Sequence, residues 1–187
     1  MYSLSVPKEN EPEQNADISE EVKRMMEQYG NDVLRTAFMY LKDRQRAEDA
    51  FQEVFIKVFN KYRNFKGESS EKTWIIKITI NLCKDILRSS WLKRVIITDR
   101  IGTQKGNSDI EERFIKKDEN RRIFNEVLSL PQVFREVIIL YYYHGYDTPE
   151  ISSILNAKEG TVRSRLHRAR ETLRSKLEGR IEAGERY

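Results

Sequence analysis

Apolar residues recur at intervals of three and four along most of this chain, and that spacing predicts helices. Val22, Met26, Tyr29, Val33, Ala37 and Leu41 mark the first. Asp17, with Glu20 three residues on, resembles a capping box and sets the start near Ile18; Gly30 marks a place for a bend. After the polar turn KDRQ, a second helix is expected from about Arg44 to Tyr62, with Ala47, Phe51, Val54, Phe55 and Val58 on one face. The opposite face carries Asp49, Gln52, Glu53, Ile56 and Phe59. Two large apolar side chains on that face have two readings. Either they pack on another part of the same domain, or they form a partner surface, apolar at its centre and acidic at its rim.

The stretch TWIIKITINLCKD, Thr73 to Asp85, alternates like a strand and is rich in β-branched residues. The alternation breaks at Cys83, and it leaves Lys84 and Arg88 unexplained. At 100° per residue, Lys77, Asn81, Lys84 and Arg88 fall in one strip, bordered by Trp74 and Asp85. Ile75, Ile76, Ile78, Ile80, Leu82, Cys83, Ile86 and Leu87 fill the rest of the circumference, with Thr79 among them. The segment therefore reads as a helix buried on a wide face, with one basic, amide-bearing stripe outside and Ser69 or Ser70 capping its start. Residues 89–107 show no sustained period and read as a linker, although Val95-Ile96-Ile97 is an apolar patch fit to dock on something.

SDIE, Ser108 to Glu111, looks like another capping box, opening a helix with Ile110, Phe114, Ile123 and Val127 that ends near Ser129. Pro131 suits the first turn of the next helix, which holds Val133, Phe134, Val137, Ile138 and Tyr141 and ends at Gly145. Thr148 is the expected N-cap of a short helix with Pro149 first and Ile151, Ile154 and Leu155 inward. In the turn NAKEG, Asn156 suits a left-handed backbone. Last comes TVRSRLHRARETLRSKLE, where Val162, Leu166, Ala169 and Leu173 make the buried stripe. Arg163, Ser164, His167, Arg168 and Glu171 lie on the far side, flanked by Arg165, Arg170 and Arg174.

A short helix, a tight turn and a second helix with a basic outer face is the helix-turn-helix layout. The first helix braces the second, whose N-terminal residues reach base edges while flanking arginines meet phosphates. A basic amphipathic helix by itself is more often a solvated or partner-facing one. Here TPEISSIL and the turn before it favour DNA binding.

Charged residues make up 34% of the 187 and the hydrophobic set 39%, as in a soluble, highly charged globular chain. The net charge is uneven: residues 1–21 and 108–160 are acidic, 61–107 and 161–187 basic. Two basic blocks suit two contact patches for a polyanion, or solvated helix faces. One cysteine, Cys83, excludes an intrachain disulfide, fits a reducing cytoplasm and reads as a small core residue. The N-terminus lacks the apolar stretch of a signal peptide, and the longest apolar run, VIILYYY, is too short to span a bilayer. His144 and His167 have no metal-ligand spacing with Cys83, and no phosphate-loop glycine pattern occurs, so no metal, cofactor, small-molecule substrate or enzymatic activity is expected. The loop YRNFKGESS interleaves Tyr62 and Phe65 with Arg63 and Lys66. These aromatics either stack on an unpaired strand, at about 1–3 kcal/mol per base, or close the core.

AEDAFQEVFIKVF, FKGESSEKTWIIKITINLCKD and LPQVFREVIILYYYHGYDTPEISSIL…GTVRSRLHRAR together resemble bacterial extracytoplasmic-function (ECF) sigma factors of the sigma-70 family. The likeness covers about residues 20–90 and 118–178, in family order. Two departures are Ser152, where the family usually has Ala, and Asn156, where Gly is common.

The resemblance implies an all-α chain of two small helical domains on a flexible linker. The two domains are sigma region 2 over 18–90 and sigma region 4 with its helix-turn-helix over 118–180, joined by a linker over 91–117; residues 1–17, polar, acidic and holding two prolines, read as a disordered tail, and 181–187 as a second tail. It implies a specificity subunit that brings RNA polymerase core to promoters and initiates transcription in response to envelope or extracellular stress. Asp49, Gln52, Glu53, Ile56 and Phe59 would meet the clamp helices of the largest polymerase subunit. Asn64, Phe65 and Lys66 would sit in the loop that captures a flipped base of the −10 element. Lys77, Asn81, Lys84 and Arg88 would track that single strand, with Trp74 either core or DNA-facing. Thr161, Arg163, Ser164, His167 and Arg168 would contact the −35 element. The linker would thread the polymerase channel. Sensing would reside in a separate, typically membrane-bound anti-sigma factor, holding this cytoplasmic protein at the inner face of the membrane. The alternative is a helix-turn-helix repressor or activator that binds duplex DNA without being a polymerase subunit.

Overall fold

The computed structural model describes residues 11–96 and 118–182, with side-chain surroundings for 15–89 and 122–178. All described secondary structure is helical. Helices α1 (Glu11–Leu41), α2 (Arg44–Lys61) and α3 (Glu71–Ile96) pack on one another as a first cluster. A second cluster holds α4 (Asp118–Ser129), α5 (Gln132–Ile138) running into a π-helical turn (Ile139–Tyr143), α6 (Thr148–Leu155) and α7 (Glu159–Glu182).

The helix α1 begins upstream of the expected cap, so Asp17 lies inside it rather than at its end. Its surroundings explain this: Asp17 is exposed while Ile18 next to it is buried, so the acidic residue sits on the outer face of a helix already under way. The helix runs unbroken through Gly30. That glycine serves close approach instead, since a Cβ there would come 3.3 Å from the Phe51 ring of α2. Lys42, at φ 55°, turns the chain, and Asp43 caps α2 by accepting from the Arg46 amide at 2.9 Å, a contact worth about 1 kcal/mol.

The helix α3 takes the strand-like segment, as the longer period predicted. Ile75, Ile76, Ile80, Leu82 and Cys83 are buried, each large aliphatic contributing roughly 1.5–3 kcal/mol. Thr79 is buried too and donates its hydroxyl to the Ile75 carbonyl at 2.9 Å, which removes the cost of an unpaired hydroxyl. Ser70 is the cap, accepting from the Thr73 amide at 3.1 Å. The helix continues to Ile96, past Arg88 and into the expected linker. Ile97 and residues 98–117, with the SDIE cap, lie outside the described residues, as do the side chains of Val95 and Ile96.

In the second cluster, buried Arg135 donates to the Leu128 and Leu130 carbonyls at 3.0 and 3.2 Å, satisfying the C-terminal end of α4. The π-helical turn was not legible in the sequence. It closes with the His144 amide on the Ile139 carbonyl at 3.1 Å, and Gly145 at φ 75° then reverses the chain. The cap of α6 is Asp147, in a capping box with Glu150, and Thr148 is its first residue instead. Thr148 is diverted because its hydroxyl donates to Glu159 of α7 at 2.7 Å. Asn156 is left-handed, at φ 51° and ψ 51°, as expected. Ser152 ties the turn by donating to the Ala157 carbonyl at 2.6 Å.

The two clusters dock. Phe38 of α1 stacks on Phe124 of α4 with centroids 6.3 Å apart, and α3 lies against α6. Arg135 also reaches the Tyr40 carbonyl at 3.4 Å. Beside Phe38 runs an apolar cleft of about 400 Å³, lined by Met39, Phe124, Val127 and Tyr142 among others, where Ile123 is 49% exposed rather than buried as the periodicity suggested.

Candidate polymerase and nucleic-acid interfaces

Three surfaces carry the residues singled out by the sequence. On α2, the inward positions Ala47, Ala50, Val54, Phe55 and Val58 are buried. Outward, Asp49, Gln52, Glu53, Ile56 and Phe59 are all exposed. Ile56 is 60% and Phe59 36% exposed, so of the two readings of these side chains, packing within the same domain fails. Glu53 pairs with Lys57 at 3.2 Å, and Gln45 donates to Asp49 at 3.4 Å, leaving an apolar centre inside a polar rim.

The second surface joins the turn after α2 to α3. Asn64 and Lys66 are exposed, whereas Phe65 is half-buried and lies against Trp74, ring centroids 4.7 Å apart. Trp74 packs partly on the core, as does Tyr62. Along α3, Asn81 and Arg88 are exposed, but Lys77 and Lys84 are half-buried. The strip is therefore on one face, yet only partly open. Arg88 sits 3.7 Å from Asp85. Lys84 does something the sequence did not indicate: its Nζ lies 3.1 Å from the carboxylate of Glu136, on α5 of the other cluster.

The third surface is α7. Val162, Leu166 and Ala169 are buried, Leu173 half-buried, and Thr161, Arg163, Ser164, His167 and Arg168 are exposed together. Arg163 pairs with Glu159 at 2.6 Å and His167 lies 3.4 Å from Glu171, both one turn away on the same helix. The flanking arginines are not equivalent. Arg165 is held by Glu136 at 3.1 Å, Arg170 donates to the Tyr142 hydroxyl at 2.9 Å and lies over the Tyr141 ring, and Arg174 pairs with Glu178 at 2.8 Å.

Sequence reasoning missed the residues that join the clusters. Glu136 is 4% exposed. One carboxylate oxygen accepts from Arg165; the other faces Lys84 and the Tyr40 hydroxyl, the latter at 3.4 Å. A carboxylate this buried is tolerable only with such partners. Nearby, Asp32 pairs with Lys72 at 2.9 Å and accepts from the Tyr143 hydroxyl at 2.9 Å, while Arg35 donates to that hydroxyl at 3.4 Å. Burial would raise the Asp32 pKa, but the hydrogen bonds from Lys72 and Tyr143 outweigh it and hold the group below the usual range. Burial pushes His144 down to about 4 and the Cys83 thiol up to about 12, so Cys83 is an inert core residue. The available signal was Arg135-Glu136 inside the run VFREVIIL, a charged pair where only core residues fit the period.

No helix among the described residues is long and apolar enough to cross a membrane. Family models match twice: Sigma-70 region 2 over residues 25–93 and Sigma-70, region 4 over residues 121–173. The chain is 31% identical over 170 residues to the ECF RNA polymerase sigma factor SigX of Bacillus subtilis, covering 86% of each chain. It is 30% identical over 158 residues to SigW of the same organism, covering 80% of this chain and 84% of that one. Its fold resembles that of the sigma factor RpoE of Bartonella quintana, solved with the anti-sigma factor NepR, at TM-score 0.68 and 21% identity over 83% of this chain and 96% of that one. It also resembles CnrH, solved with the cytosolic domain of CnrY, at TM-score 0.63 and 20% identity over 88% and 95%. With both sigma regions in order and relatives aligned over most of their length, this chain belongs to the extracytoplasmic-function sigma factors of the sigma-70 family, the non-catalytic subunits that direct RNA polymerase to promoters.

Proposed function

We propose that the three surfaces divide the work of promoter recognition, with residues 18–90 acting as one functional unit and 118–180 as the other. The outer face of α2, with Asp49, Gln52, Glu53, Ile56 and Phe59, binds the clamp helices of the largest polymerase subunit. Asn64, Phe65 and Lys66 capture an unstacked base of the −10 element, for which Phe65 must leave Trp74 or receive the base beside it. Lys77, Asn81, Lys84 and Arg88 follow the phosphates of that strand. Thr161, Arg163, Ser164, His167 and Arg168 enter the major groove of the −35 element. An anti-sigma factor, membrane-bound and responsive to envelope or extracellular stress, holds the protein inactive at the cytoplasmic side of the membrane.

The observation that carries this reading is the exposure of Ile56 and Phe59 within an acidic rim on α2. A polymerase subunit needs such a face for its partner, apolar at the centre and polar at the rim. Incubated with core polymerase, the protein should start transcription at one defined site, and alone it should bind the same promoter duplex weakly. Tight, sequence-specific binding without polymerase would replace this reading with a helix-turn-helix repressor or activator. A native pull-down should recover polymerase subunits together with one small membrane protein.

A further inference from the structure

A chain of three side chains ties the bracing helix α6 to the helix α7 that it supports. Thr148, the first residue of α6, donates its hydroxyl to Oε1 of Glu159 at 2.7 Å. The same oxygen accepts from Nη2 of Arg163, one turn further along α7, at 2.6 Å. These hydrogen bonds, Thr148 first and Arg163 second, hold the Glu159 carboxyl below its usual range, so it is charged at neutral pH. Glu159 is half-buried and Arg163 exposed. The guanidinium therefore stands out on the face proposed for the −35 element, with one edge fixed from across the turn.

A carboxylate on that face works against DNA binding. Duplex DNA carries one negative charge per about 1.7 Å of its axis, and Glu159 repels each phosphate that comes near. Anchoring the turn does not explain the charge, because a neutral amide would accept from Thr148 as well. A carboxylate in the first turn of α7 also suits the helix dipole, but that effect needs neither Thr148 nor Arg163. What the charge adds is a hold on Arg163. A free arginine meets a phosphate as readily as a guanine, and the phosphate carries no sequence information. Beside Glu159 the phosphate is disfavoured, while the remaining guanidinium N–H donors still suffice for the O6 and N7 of a guanine. Other basic residues of this face lack such a tie. Arg168 makes no ion pair among the described residues, and His167 meets Glu171 within α7, at 3.4 Å.

We propose that Glu159 is a positioning residue for promoter specificity: held by Thr148, it fixes Arg163 toward a base edge and turns it away from phosphates. The proposal rests on the assignment of Arg163 to the −35 element made above. Glu159 touches no DNA in this role. It lowers affinity for every duplex and raises the ratio between right and wrong sequences, building specificity by repelling the competing contact.

The test uses the full chain with core polymerase, on templates in which each position of the −35 element is varied in turn, and transcripts from each template are counted. Arg163→Ala defines the base pair that this arginine reads, as the position where preference disappears. Glu159→Gln keeps the shape and the acceptor for Thr148, but a neutral amide holds an arginine less firmly. It should lower the preference at that same pair by at least about threefold and leave the other positions unchanged, while use of templates with a scrambled element rises. Placed on top of Arg163→Ala, it should change the preference no further. Thr148→Val, which frees the carboxylate, should give part of the same loss. Glu171→Gln removes the same charge from the same helix and should leave the preference at that pair intact.

An unchanged preference with Glu159→Gln would overturn the proposal. So would a uniform loss at every position, the mark of a residue that only supports the turn. A loss at a different base pair would overturn it too, making Glu159 itself a reader of cytosine, and an equal loss with Glu171→Gln would reduce the effect to bulk charge. Arg163→Ala with every preference intact would instead refute the assignment of Arg163 to the −35 element, and the proposal with it.

Discussion

The Nε2 of His144 lies 2.8 Å from the hydroxyl of Thr36, a contact between side chains 108 residues apart in the chain. That hydroxyl already donates to the Asp32 carbonyl at 2.7 Å, so it accepts from the imidazole, which fixes the Nε2–H tautomer. The other ring nitrogen, Nδ1, is buried without a partner.

A pH dependence follows from this site. Around the ring stand Asp32 and Thr36 of α1, Lys72 of α3, and Tyr143 and Tyr146 of its own segment. Burial keeps His144 neutral to about pH 4; Asp32 opposes that effect and Lys72 assists it. Exposed, the group would titrate near 6.5. The exposed state thus binds more protons between these values, and docking stability is full above pH 6.5 and falls as pH drops toward 4, by about 3 kcal/mol in all. Urea midpoints and scattering radii at pH 7.5 and 5 should show the loss, and His144→Gln should flatten it.

Arg163→Ala or Arg168→Ala should weaken use of the −35 element by about 1–3 kcal/mol if the side chain reads a base. Run-off transcription on promoters with and without that element separates this from a general defect, because only the first template should respond.

The double change Ile56→Asp, Phe59→Asp should abolish binding to core polymerase and leave the helical circular dichroism and the melting temperature near those of the parent. Both side chains already face solvent, so their replacement removes no core packing. A collapse of the dichroism would make them part of the core.

Ser152→Ala should cost about 0.5–1.5 kcal/mol, because the hydroxyl bonds the Ala157 carbonyl at 2.6 Å across the helix-turn-helix turn. Chemical denaturation reads the loss, and DNA contacts of α7 should weaken only as far as the turn loosens.

The sequence showed most clearly what is local and periodic. The α3 strip survived a strand-like disguise because Lys84 and Arg88 extended the helical period past the point where alternation failed. Asn156 was legible because few residues accept a left-handed backbone. Helix starts were less so. Asp17 and Thr148 both belong to types that cap helices, yet Asp17 sits on the outer face of a helix already begun, and Thr148 is drawn to Glu159 while Asp147 caps. The docking was illegible for a different reason. Glu136 and Lys84 are far apart in sequence, and neither period nor charge balance says which distant cation a buried carboxylate will find.

The sharing of Glu136 also limits how freely halves of related proteins can be exchanged. A chimera that kept this C-terminal half but drew its N-terminal half from a relative with a neutral residue in place of Lys84 would leave the carboxylate paired with Arg165 of its own half but without the cation that reaches it from α3. The two clusters would then dock less tightly, so successful swaps should carry Tyr40 and Lys84 along with Glu136 as an inherited set.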